Sequence, residues 1–344
     1  MRLGMKTGVL LLILVLFTAV RLNSEKKDSG PVPVTEIKIG SVAPARSPWD
    51  KALERVAREW ESLSGGSIRI RIYPGSIAGG EFDMIRKMRL GVLQGVVLTN
   101  MGLTNIQDSV LVLNLPFLFN SEGEFRYVFD RLKPVFEGQI ENSGFKVVTW
   151  TLVGWVHFFS KGPVVNPDDL KKYKIAVTED SPDLEQVWKK MGYHAVPGER
   201  DLMIMLETGM VSAAYLPPLL AGSGQYFAIV PHMLSMPLAP LVGSFVLSNA
   251  IWEVIPENFR QPMLEAARRE EEVIYREVMS LESEAIEAMR SRGLRINTPA
   301  PEDEAEWKKA ASKAISELVG GPVSRDIYDL VSELVGEYRR LHED

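Results

Sequence analysis

Residues 166–177 read NPDDLKKYKIAV, and LETGMV at 206–211 and YLP at 215–217 follow. This stretch decides the fold class. Asp168 and Asp169 stand where a helical turn starts, and their charges suit the positive end of that turn. Paired carboxylates can also do acid–base work, but capping accounts for these two more simply. The text at 174–178 reads as a strand, residues 182–191 and 199–209 as helices, and 211–216 as a second short strand. Strands that alternate with helices give an α/β layer.

The same alternation appears upstream. EIKIGSV at 36–42 has the period of a strand, as does SIRIRIY at 67–73. Between them Ser47 is placed to cap a helix whose first residue is Pro48. Trp49, Leu53, Val56, Trp60 and Leu63 share one face of that helix, and Gly65 and Gly66 end it. Strand, helix, strand is a right-handed βαβ unit. A helix over 81–90 and a strand over 95–100 continue it. NLPFLFN at 114–120 holds Pro116 and reads as loop. Helical text covers 121–142.

FKVVTWTLVGWVHFF at 145–159 is a long strand with Gly154 inside it, read here as a crossing between two domains. Residues 241–249 return to the first domain. The longest helical text is 256–292, with Phe259, Met263, Ala267, Ile274, Val278, Leu281, Ala285 and Met289 on its apolar side. At ~1.5 Å per residue it spans roughly 54 Å, longer than one small domain, so it is expected to lie across both. The tail, 302–341, reads as two amphipathic helices broken at Gly320, Gly321 and Pro322. The expected organisation is α/β, with domain I at 36–153 plus 241–262 and domain II at 154–240 plus 293–344. The helix at 256–292 spans both.

Composition narrows the function. The chain has 344 residues, 46% of them hydrophobic, and a formal net charge of −6. That acidity argues against a nucleic-acid surface. There is no cysteine, which excludes disulfides, a thiol nucleophile and a lipid anchor on cysteine. Arg2 and Lys6 precede an apolar run at 8–20. The run is shorter than the ~20 residues a spanning helix needs and suits a signal segment. Residues 1–22 are therefore expected to be a signal peptide or an N-terminal anchor, with a linker at 23–35. Both cleavage and retention as a tether stay open, and either places the body in the periplasm or otherwise outside the cytoplasmic membrane.

No reactive set emerges. His157, His194, His232 and His342 lack partners at metal-ligand spacing, and no HExxH, GxSxG or phosphate loop is present. Gly222, Ser223 and Gly224 read as a turn. No cofactor, metal or enzymatic activity is expected.

The pieces SGG at 64–66, YPGS at 73–76, LG at 90–91, PFLF at 116–119, PDDL at 167–170 and LETG at 206–209 come in a set order and spacing. Together they resemble the solute-binding (P) subunit of TRAP transporters, of the DctP type. The resemblance implies a two-domain periplasmic-binding-protein-like fold with a hinge of crossing strands, a long bridging helix and a ligand cleft between domains. Family members deliver small organic acids to a membrane permease driven by an ion gradient, and some work with a tetratricopeptide-repeat partner. The family's main clamp arginine falls on Ala176 and a second frequent arginine on Val156. Val42, Thr99, Tyr215 and Leu216 fall on further cleft positions.

With both arginines missing, a buried carboxylate lacks charge-assisted partners and costs several kcal/mol to desolvate. An apolar cleft instead rewards apolar ligand area, about 7 kcal/mol gross for ~300 Å². The expected ligand is a hydrophobic small molecule. The expected ligand-binding residues are Val42, Thr99, Phe117, Trp155, Val156, Ala176, Tyr215 and Leu216. Two alternatives stand beside it. One is a protein-interaction module that kept the fold and lost transport. The other is a binder of a polar organic acid that uses other residues, such as Arg46 or Glu179.

Overall fold

The structure is a computed structural model and describes residues 34–178, 182–198 and 202–342. The expected signal segment (1–22), nearly all of the linker (23–35) and Glu179 lie outside the described residues. Among the described residues, no helix is long and apolar enough to cross a membrane.

The first lobe opens with β1 (Thr35–Ser41), α1 (Pro48–Leu63) and β2 (Ile68–Tyr73). Ser47 caps α1 by accepting from the Asp50 N–H, and Pro48 takes the first helical position as expected. Trp49, Leu53, Val56 and Trp60 are buried, and each contributes on the order of 2 kcal/mol. Leu63 departs from the expected face. It is 38% exposed, whereas Trp60 in the same turn is fully buried against Phe245. Then come α2 (Glu81–Arg89), β3 (Gly95–Thr99), α3 (Asn100–Leu103), a 3-10 helix (Asp108–Asn114) and α4 (Glu122–Asn142). The 3-10 helix was not legible in the sequence, since its DSVLVLN text has no helical period.

β4 (Phe145–Ser160) is the expected crossing strand. The second lobe follows with α5 (Pro167–Leu170), β5 (Lys174–Val177), α6 (Pro182–Lys190), β6 (His194–Pro197), α7 (Leu202–Glu207), β7 (Ala213–Leu216), α8 (Pro218–Ser223) and β8 (His232–Leu234). β9 (Ala239–Ser248) runs back to the first lobe and leads through α9 (Asn249–Val254) into α10 (Glu257–Arg290), the long helix. β10 (Arg295–Asn297), α11 (Pro301–Leu318) and α12 (Arg325–Leu341) close the chain.

The strands form one sheet in the order β2-β1-β3-β9-β4-β7-β5-β6, with β8 on β4 and β10 on β8. The flanks are parallel (β1 with β2 and β3, β5 with β6 and β7). β9 and β4 are antiparallel to their neighbours and to each other. β4 pairs with β9 along Phe145–Val156 and with β7 along His157–Ser160, so one strand belongs to both lobes. Its register shifts between Leu152 and Gly154. Gly154 has φ +144°, and a Cβ there would lie 2.9 Å from the Cβ of Pro217. Only glycine fits this bend.

α10 covers one face of both lobes. Met263 receives the Trp60 indole N–H on its carbonyl at 2.9 Å, and Met289 packs with Phe159 and Ala214 in the second lobe. Glu282 is also buried on the apolar side of this helix, among residues the periodicity assigns to carbon. The opposite face carries α4 and α12 on the first lobe and α5, α6 and α11 on the second. Residues 293–344, placed wholly in domain II by the sequence reading, are therefore divided between the lobes. α11 packs on α5 and α6, and α12 packs on α4.

Candidate functional site

A cavity of about 120 Å³ lies where the lobes meet, on the face of the sheet away from α10. The first lobe supplies Met101, Leu111 and the segment Asn114, Leu115, Pro116, Phe117. The second lobe supplies Val156 and Phe158 from β4, Trp188 from α6, Tyr193 and Tyr215. α11 forms the roof through Trp307, Ala311 and Ala314.

Six aromatic rings line the cavity, among aliphatic side chains. Phe158 stacks on Trp307 at 5.6 Å, and Phe117 meets the same indole edge-on at 6.2 Å. Trp188 stacks on Tyr215 at 5.8 Å and meets Tyr193 edge-on at 5.2 Å. Such pairs add to area burial and fix the ring planes. The Trp307 indole also donates to the Val165 carbonyl at 2.8 Å, which pins α11 to the second lobe. Phe117 has φ +56°, a left-handed conformation rare for a bulky residue. It is held there by its N–H bond to the Leu238 carbonyl at 2.7 Å. Strain of this kind gathers at ligand sites.

Among the described residues, no charged side chain lines the cavity. Burial pushes the Tyr193 hydroxyl up to about 12, so it stays protonated. Asn114 is the one side-chain amide in the wall. A wall of this kind has no group to take or give a proton near neutral pH. It can hold an uncharged apolar body and exclude water. Among the described residues, no cluster of His, Cys, Asp and Glu could hold a metal ion.

Of the eight residues expected at the site, the structure brings three to this cavity: Phe117, Val156 and Tyr215. The other five sit elsewhere. Strand parity separates the neighbours. Phe158 lies opposite Tyr215 and His157 opposite Leu216, so Tyr215 and Leu216 face opposite sides of the sheet. Leu216 and Ala176 are buried with Phe159, Leu206 and Ala214. Trp155 turns to Phe125 at 6.2 Å. Val42 packs on the first-lobe core. Thr99 caps α3, and its hydroxyl donates to Glu81 at 3.0 Å. Arg46 is exposed, and its backbone N–H donates to the Asp50 carboxylate at 2.7 Å.

The sequence reading missed Asn114, Trp188, Tyr193 and the α11 roof. Two stripes carried a signal. Leu184, Val187, Trp188 and Met191 follow helical spacing, as do Trp307, Ala311, Ala314 and Leu318. Both lie in segments that the sequence marks as helical without pointing to a site.

The family described as "Bacterial extracellular solute-binding protein, family 7" (DctP) matches residues 39–320. A solute-binding protein of Roseobacter denitrificans is 23% identical over 313 residues, covering 88% of this chain and 91% of its own. The chain is also similar to the sugar acid binding protein of Advenella mimigardefordensis in complex with galactonate. That match has a TM-score of 0.82 and 16% identity, over 89% of this chain and 99% of the other. A TRAP periplasmic solute-binding protein of Desulfovibrio salexigens with bound orotic acid gives a TM-score of 0.80 and 19% identity, over 89% and 99%. At these identities the two structures show a shared fold.

Proposed function

The chain belongs to family 7 of the bacterial extracellular solute-binding proteins, the solute-binding proteins of TRAP transporters, and on that premise we propose that it carries an uncharged, hydrophobic small molecule. Members of this family bind small ligands in the periplasm, work with membrane permease subunits and are not enzymes. The observation that supports a hydrophobic solute is the interlobe cavity, whose described walls are aromatic and aliphatic with no charge. A carboxylate in it would lose several kcal/mol of hydration and find neutral donors but no cation in return. Neighbours in fold hold galactonate and orotic acid, so this chain departs from them in ligand class.

In this reading residues 1–22 direct export, cleaved or retained as a tether. The lobes close on the solute by bending at Gly154 and along α10, and the closed form docks on the permease. A tetratricopeptide-repeat protein is a further candidate partner.

Ala314→Phe should fill the cavity from the roof without touching the sheet. A saturating apolar ligand stabilises the folded state by about 2.7 kcal/mol at a hundredfold excess over Kd. In thermal unfolding, small uncharged aromatic compounds are expected to raise Tm of the protein and not of Ala314→Phe. Succinate and galactonate are expected to leave both unchanged. A rise with an organic acid that survives Ala314→Phe would overturn the proposal.

A further inference from the structure

We infer that Asn114 fixes the specificity of the cavity, selecting uncharged single-ring compounds that carry one hydrogen-bond acceptor, such as an aryl ketone. The inference rests on the reading of the cavity as the solute site and goes beyond it by naming the group that is read.

The backbone N–H of Val242, in β9, can only donate, and it donates to the Asn100 side-chain oxygen at 3.2 Å. The Asn100 amide therefore turns its nitrogen the other way. That nitrogen donates to Asn114 Oδ1 at 2.6 Å. Asn100 is fully buried, so no solvent-driven flip can reverse the chain. Asn114 thus has its oxygen committed and its NH2 left over. Among the described residues, Asn114 Nδ2 has no hydrogen-bond partner. Asn114 lines the cavity, so the polar atom it has to offer a solute is a donor. The Tyr193 hydroxyl can rotate to suit a ligand, whereas the Asn114 donor is fixed by the sheet.

Size and charge complete the class. About 120 Å³ is comparable to the ~150 Å³ engineered cavity that takes up benzene. One ring with a short substituent matches this volume. An acceptor on that ring loses water on entry and regains a partner only where a donor waits. Without an oriented donor, a ketone would bind more weakly than the hydrocarbon of the same shape.

The test is calorimetric titration of the full chain with acetophenone and with ethylbenzene, which share a shape and differ in the carbonyl. Acetophenone is expected to bind at least tenfold tighter. Asn114→Asp keeps the acceptor for Asn100 and removes the donor, and it is expected to abolish that preference. Equal binding, or a preference for ethylbenzene, in the unsubstituted protein overturns the role of Asn114 and leaves the apolar cavity standing. Binding of neither compound at millimolar concentration overturns both. The comparison in the unsubstituted protein holds even where Asn114→Asp fails to fold.

Discussion

Glu282 sits on α10 against the bend of β4, 7% exposed, and accepts the Trp155 backbone N–H. Its Oε1 has no partner among the described residues. Burial, with a smaller push from Glu122, raises its carboxyl from 4.5 to about 7. A carboxyl raised in the folded state binds more protons there than in the unfolded chain. Its contribution to stability is complete below about pH 4.5 and is lost as pH rises to about 7, a difference on the order of 3 kcal/mol. His157, whose ring is held below its usual range by burial, acts in the opposite sense. The comparison must therefore be with a variant. Glu282→Gln is expected to unfold at higher Tm than the unsubstituted protein at pH 8, with the gap closing toward pH 5. A constant gap would contradict the assignment. At this scale the sequence was only half legible. It pointed to Tyr215 and Leu216 together, and to Trp155 and Val156 together. A strand shows only one residue of each pair to a given face, and which one depends on a register that composition does not reveal. The Ala176 position carried the absence of the clamp arginine, but the structure buries that residue in an apolar cluster away from the cavity.

The C-terminal helices form a second tie between the lobes. α11 is fixed to the second lobe by Trp307, 3% exposed, through its stacking on Phe158 and its bond to Val165. α12 is fixed to the first lobe by Arg339, which bonds Glu124 at 2.7 Å, and by the Tyr127 hydroxyl, which donates to Glu337 at 2.7 Å. Glu124 is 2% exposed and also accepts the Asn120 N–H. Removing the guanidinium leaves a buried carboxylate without its cation. Arg339→Gln is expected to cost about 2 kcal/mol and to speed amide exchange over 325–341 while α11 stays protected. Equal protection of both helices, or an unchanged midpoint, would refute this division of the tail. The two helices and their break at Gly320 were readable from periodicity and glycine, but their partners were not. α12 is amphipathic whichever lobe it covers, and long-range pairings such as Arg339 with Glu124, 215 residues away, settle the matter.

At the scale of the molecule the sequence was most informative. Period-two strands, capped helices and one text too long for a single lobe led to the two-lobed α/β architecture that the family and its solved relatives share. The antiparallel centre was harder to read, because β9 is buried at nearly every position and shows little alternation. The molecule that results has its lobes joined by β4, β9 and α10 on one side and by α11 and α12 on the other. The uncharged cavity lies beneath α11. The central claim is that this cavity carries an apolar solute. It is tested most directly by mass spectrometry of the organic extract from the purified protein, against a mock purification. A stoichiometric uncharged compound of one ring, absent from the extract of Ala314→Phe, is the predicted result. A stoichiometric organic acid retained by both proteins would contradict the account.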